Sequence, residues 1–223
     1  MRLTPEDHAK VTAAVTAAEA VTDGEIVTVV ARQSDAYHDV ALHWAVLAML
    51  LVLAVLAAWP APIDAIHDRL GAGWGEGPAL RETLTIVLVL LTVTFLVMRV
   101  ILAWRPLRLA LTPRATKERR VRRRAVQLFR AGAEKRTAAA TGVLLYLSLD
   151  EHRAELIADA AIHSRVDEGI WGAAMAALIT AVKDGRPGDG MADAVAQVGA
   201  VLAEHFPRSQ GDTNELPDRL IEL

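Results

Sequence analysis

Asp23-Gly24-Glu25-Ile26-Val27-Thr28-Val29-Val30-Ala31 opens on a helix-breaking Asp-Gly pair and continues as a run rich in β-branched residues, which reads as a strand. A strand needs partners for its backbone N–H and C=O groups. None follows directly, because the chain passes into two long apolar runs. Partners must come from beyond those runs. Gly142-Val-Leu-Leu-Tyr-Leu-Ser-Leu149 is an apolar strand, Asp150-Glu151-His152 a turn, and Arg153 to Asp159 a second strand, so these two pair as a hairpin. The spacing predicts one α/β domain, divided in sequence, with a helical hairpin inserted after its first strand.

Trp44 to Trp59 is unbroken apolar sequence, and Val40 to Leu42 and Ala61 to Ile63 extend it. Leu84 to Met98 is the second run, continued beyond Arg99 as Val100 to Trp104. Each is about 20 residues, roughly 30 Å as helix, the thickness of a bilayer core. Neither has the polar face of a globular core helix. Trp44, Trp59 and Trp104 sit where interfacial anchors belong, and Arg99 is close enough to an end to snorkel. Residues 105–136 carry 12 of the 24 basic residues against Glu118 and Glu134, a net +10, whereas residues 60–83 are −2. The positive-inside rule puts the basic side in the cytoplasm, and two spans put the N-terminal segment there too. That segment is polar and acidic, unlike a signal peptide, so the first span is expected to persist. Gly71, Gly73, Gly75 and Gly77 follow no strand and do not match a dinucleotide-binding loop, so they read as a linker.

The remaining elements are helical. Thr4-Pro5-Glu6-Asp7 is a start signal, with Val11, Val15, Ala18 and Val21 at helical spacing after it. A basic helix over 113–137 carries a narrow apolar stripe of Val121, Ala125, Leu128 and Gly132. Trp171, Met175, Leu178 and Val182 mark a helix ending at Asp184-Gly185. Gly188-Asp189-Gly190 reads as a turn with Asp189 as a helix cap, and Val195, Val198, Leu202 and Phe206 mark the last helix, stopped by Pro207. The 223 residues contain no cysteine, which excludes a disulfide framework, a thiol nucleophile and cysteine-ligated metal.

This order resembles the TPM domain family. The matching pieces are Glu19 followed by Asp23-Gly24-Glu25-Ile26, then Gly142-Val143-Leu144, Ser148-Leu149-Asp150-Glu151, Ala158-Asp159, Trp171 and Asp189-Gly190. His205-Phe206-Pro207 and Asn214-Glu215-Leu216-Pro217 look most like a bacterial subgroup of membrane proteins. The resemblance covers residues 4–31 and about 113–223 and leaves the hairpin unexplained. It implies an α/β sandwich, and in some members acid phosphatase activity or divalent-ion binding by acids beside the sheet. Where the family has a glycine-rich turn after the third strand, this chain has Asp159-Ala160-Ala161. The expected organisation is a first part of a TPM-like sheet-and-helix domain at 1–39, transmembrane helices at 40–63 and 84–104, a non-cytoplasmic loop at 64–83, and the basic helix with the rest of the domain at 105–223.

Glu25 begins a strand, Asp159 ends another and Asp189 starts a helix, so the three are candidate ligands of a shared Ca2+ or Mg2+ ion, which takes oxygen ligands. The competing structural reading gives Glu25 a basic partner and Asp189 a capping role. No EF-hand loop, HExxH or paired-histidine motif is present, and Ser148 lacks the GxSxG elbow. Arg119, Arg120, Arg122, Arg123 and Arg124 are candidates for contact with anionic lipid headgroups. No aromatic residues interleave these charges, so no nucleic-acid partner is expected. Two functions remain: a binding or assembly module for membrane protein complexes in the cell inner membrane, facing the cytoplasm with an unidentified membrane protein as partner, and a metal-dependent phosphatase.

Overall fold

The computed structural model describes residues 3–69, 78–132, 141–210 and 215–223. The glycine-spaced loop, the basic segment beyond Gly132 and Asn214 lie outside the described residues. The chain forms two compact units, one of residues 1–35 with 114–223 and one of residues 36–113.

The first unit begins with α1 (Pro5–Glu19), started by a reciprocal capping box between Thr4 and Asp7. Then come β1 (Glu25–Ala31) and, after the second unit, the elements β2 (Gly142–Ser148) and β3 (Arg153–Ala158). Among the described residues the sheet has the order β3-β2-β1-β4, where β4 is Ile221–Glu222. β1 runs parallel to β2 over its full length, in register from Glu25 opposite Gly142 to Ala31 opposite Ser148. β2 and β3 form the antiparallel hairpin. β1 therefore meets β2 but not β3, and its second neighbour is the short parallel strand of the C-terminal tail.

Every residue of β1 and β2 is buried, as expected of strands covered on both faces. Ile26, Val30, Val143, Leu145 and Leu147 pack under α1 and two later helices, Trp171–Lys183 and Pro187–His205. Val27, Val29, Leu144 and Tyr146 pack under the basic helix Arg114–Gly132, which presents Val121, Ala125 and Phe129. Phe129, rather than Gly132, completes that stripe. The last helix lies beside α1 and runs the same way: Asp189 meets Lys10, and Phe206 meets Asp23. At Gly199 a Cβ would sit 2.5 Å from the Ala18 Cβ, so the closeness of the two helices depends on that glycine.

The second unit holds α2 (His38–Ala58), α3 (Ala61–Arg69), α4 (Leu80–Ile101) and α5 (Arg105–Ala110). The first apolar helix is shorter than the hydropathy predicts, because Trp59 is extended (φ −145°) and the chain restarts as α3 after Pro60. α2 and α4 pack together and meet the requirements of length and hydropathy for crossing a membrane. Only 22% and 6% of their apolar windows are buried. A core helix of a soluble unit would bury most of that surface. Leu47, Leu50, Leu51, Leu84, Leu88 and Leu96 instead face outward. His67 of α3 is buried and lies 3.2 Å from Glu82 of α4.

In the first unit the numbering continues with α6 (Arg114–Gly132), α7 (Ala160–His163), α8 (Trp171–Lys183) and α9 (Pro187–His205). α9 starts at Pro187, so Gly188-Asp189-Gly190 is its first turn and not a separate one. Gly190 serves close packing: a Cβ there would lie 2.6 Å from the Ala181 Cβ of α8.

Candidate functional site

The starts of β1 and β2 and the end of β3 meet at one edge of the sheet, which brings Glu25 and Asp159 to the two sides of Gly142. One strand separates them, so their backbones are about 10 Å apart. Both carboxylates are buried and both serve the chain itself. Glu25 Oε1 accepts the Glu215 N–H at 3.1 Å and Oε2 the Leu216 N–H at 3.2 Å. Asp159 Oδ2 accepts the Gly142 N–H at 3.1 Å. Glu25 thus holds the backbone of the tail. Asp159-Ala160-Ala161 leads straight into α7 in place of a flexible turn.

Asp189 is not at this edge. Leu202 of α9 packs against Gly24 there, and Asp189 lies thirteen residues earlier on the same helix, about 20 Å away. It pairs with Lys10 Nζ at 2.7 Å, which holds the Asp189 carboxyl below and the Lys10 ammonium above their ordinary values. It caps no helix, since the N-cap of α9 is Arg186.

Glu19 is the group at the edge that sequence reading missed. It is 9% exposed, and its Oε1 accepts the Ile26 N–H at 2.7 Å. Burial, with Glu25 and Asp218 nearby, pushes its carboxyl up to about 8. A signal was present: Val11, Val15 and Glu19 follow at i, i+4, i+8, which places a carboxylate on the buried stripe. A divalent ion takes several oxygen ligands. Among the described residues no group of three or more His, Asp or Glu side chains is placed to hold a metal.

The five arginines singled out for lipid contact, all on α6, divide. Arg120 donates to Asp35 at 2.9 Å, and Arg122 lies 3.6 Å from Glu155. Burial pushes the Glu155 carboxyl up, and Arg122 and Arg153 oppose that. Arg119, Arg123 and Arg124 remain on the exposed face.

Two cavities accompany these groups. An apolar cleft of about 180 Å³ lies on the α6 side of the sheet, lined by Val27, Val29, Leu128, Leu144, Ile221 and Leu223. A basic cavity of about 630 Å³ opens between the first turn of α6, the β2–β3 turn and α8, with Arg114, Lys117, Arg153 and Lys183 in its walls. The signal for the latter was the opening of α6: helices favour acids in the first turn, and this one has only bases.

A mixed sheet with helices on both faces, interrupted after its first strand by two apolar helices, defines an α/β domain with a helical-pair insertion. The sequence pattern of the family described as TPM domain matches residues 107–201. Residues 4–31, outside that span, supply α1 and β1 of the same sheet. A solved structure, the NMR structure of the BA42 protein from the psychrophilic bacterium Bizionia argentinensis, aligns with a TM-score of 0.56 at 17% identity. The alignment covers 100% of this chain and 97% of that one, and shows a shared fold. No curated protein matches the chain.

Proposed function

We propose that the chain is a bacterial inner-membrane protein with two spans, α2 and α4. Its TPM domain faces the cytoplasm and acts as a binding module in the assembly of membrane protein complexes. The observation that carries this reading is the engagement of Glu25, Asp159 and Asp189 by the chain's own backbone and Lys10, which leaves no convergent acidic pocket among the described residues. The apolar cleft beside β4 offers surface of the kind a protein partner covers. Arg119, Arg123 and Arg124 add roughly 1 kcal/mol each of attraction to anionic lipid at the cytoplasmic leaflet.

The competing activity is metal-dependent phosphate-ester hydrolysis. The purified full-length protein is expected to release no phosphate from an aryl phosphate, with divalent metal or with chelator. Metal-dependent turnover that disappears in Glu25→Gln or Asp159→Asn would replace the module by a phosphatase. Sidedness has its own test: in whole cells, Gly73→Cys is expected to react with an impermeant thiol reagent and Gln210→Cys only after lysis. Labelling of both from outside would remove the two-span topology.

A further inference from the structure

The basic cavity has features that the proposed module does not use. Four cations line it from three elements: Arg114 and Lys117 on α6, Arg153 at the start of β3 and Lys183 at the end of α8. Its one carboxylate, Glu151, is occupied elsewhere, accepting the Ser34 N–H at 2.9 Å and the Ser148 hydroxyl. Arg153 pairs with Glu118 at 2.6 Å. Among the described residues Arg114, Lys117 and Lys183 make no ion pair.

Lys183 has an ordinary explanation, since a cation suits the negative end of α8. The helix dipole does not explain Arg114 and Lys117. They occupy the positive end of α6, where their charges add to the helix dipole. Burial first, then Arg153 and Arg114, hold Lys117 below its ordinary range, and Glu151 opposes that in part. His152 also lines the cavity, with a left-handed backbone (φ 49°). The α8 side of the wall carries Met175, Ala176 and Ile179 beside Thr180. At about 630 Å³ the space suits a small organic molecule.

We propose that this cavity binds a phosphate group carried on an apolar body, with Arg114, Lys117, Arg153 and Lys183 around the anion and the α8 wall against the body. A phosphate offers several acceptor oxygens to such a set, and each charge-assisted bond exceeds a neutral one. A phospholipid headgroup and a soluble phosphate ester share this chemistry, and neither requires the protein to be a phosphatase.

The test uses the full chain in phosphatidylcholine nanodiscs, titrated calorimetrically with phenyl phosphate and with inorganic phosphate. Phenyl phosphate is expected to bind, and more tightly than inorganic phosphate. Lys117→Gln with Lys183→Gln is expected to weaken it about tenfold or more. Ala176→Trp keeps every charge but fills the space beside α8, and is expected to weaken binding as much. Arg69→Gln with Arg219→Gln, neither of which lines the cavity, should leave binding unchanged. Nanodiscs containing phosphatidylglycerol assign the source: competition with phenyl phosphate points to a headgroup, and its absence to a soluble ester. The proposal is overturned by no phenyl phosphate binding to the wild type, or by equal weakening in the variant of Arg69 and Arg219, which would mean diffuse attraction.

Discussion

Glu19→Gln is expected to remove the Glu19 share of the pH dependence of the sheet domain's stability between about 5 and 8, and to raise that stability at pH 8 by a few kcal/mol. The folded-state value of the Glu19 carboxyl is about 8, against 4.5 for the unconstrained group. Between those values the unfolded chain has released a proton that the folded domain keeps. Stability of the wild type therefore falls as pH rises through this window, by about 1.4 kcal/mol per unit. Below the lower value the group is protonated in both states and the effect vanishes. Glutamine imitates the protonated carboxyl, and its oxygen can still accept the Ile26 N–H. The measurement is apparent Tm against pH for both proteins in nanodiscs. The wild-type curve should descend relative to the variant above pH 5. Parallel curves would mean that Glu19 ionises normally where it is buried.

Glu25→Ala should destabilise the domain by about 3 kcal/mol or more and release the C-terminal tail first. The two carboxylate oxygens accept the N–H groups of Glu215 and Leu216, and Leu216 is 5% exposed. Removing the carboxylate strands the buried Leu216 donor and the half-buried Glu215 donor, at about 1–3 kcal/mol for a buried one. Leu216 packs with Val27, Val29 and Phe129, and a few residues later β4 pairs with Val29 and Val30. Hydrogen exchange at Ile221, Glu222 and Leu223 should therefore accelerate before that of β2. Glu25→Gln, which keeps one acceptor oxygen, should lose less. An alanine variant with wild-type Tm and an unchanged tail would show that Glu25 does not hold the tail in place.

Both predictions concern carboxylates at one sheet edge, and both were only half legible in the sequence. Glu25 was visible as the start of a strand, but its partner was not, because Glu215 and Leu216 lie 190 and 191 residues away and their role is played by backbone N–H groups. No side-chain pattern reports which backbone amides end up without a ladder partner. Asp189 was grouped with Glu25 and Asp159 because all three end or begin elements, yet which end of the sheet an element terminates at depends on the direction in which it packs. α9 runs alongside α1, and that direction carries Asp189 to Lys10.

Local patterns carried the rest. β-branching in Glu25–Ala31, apolarity in Gly142–Ser148, helical spacing in α1, α6, α8 and α9, and length with apolarity in α2 and α4 each depend on residues close in the chain. Those properties sufficed to mark a split α/β domain with two membrane-length helices inserted after β1. The tertiary structure alone decided that a two-residue tail segment closes the sheet, that Glu19 is buried beside Glu25, and that Arg114, Lys117, Arg153 and Lys183 surround one cavity. The reason is physical: periodicity fixes which face of an element is apolar, whereas burial of a charge and convergence of cations depend on which elements meet and in what direction.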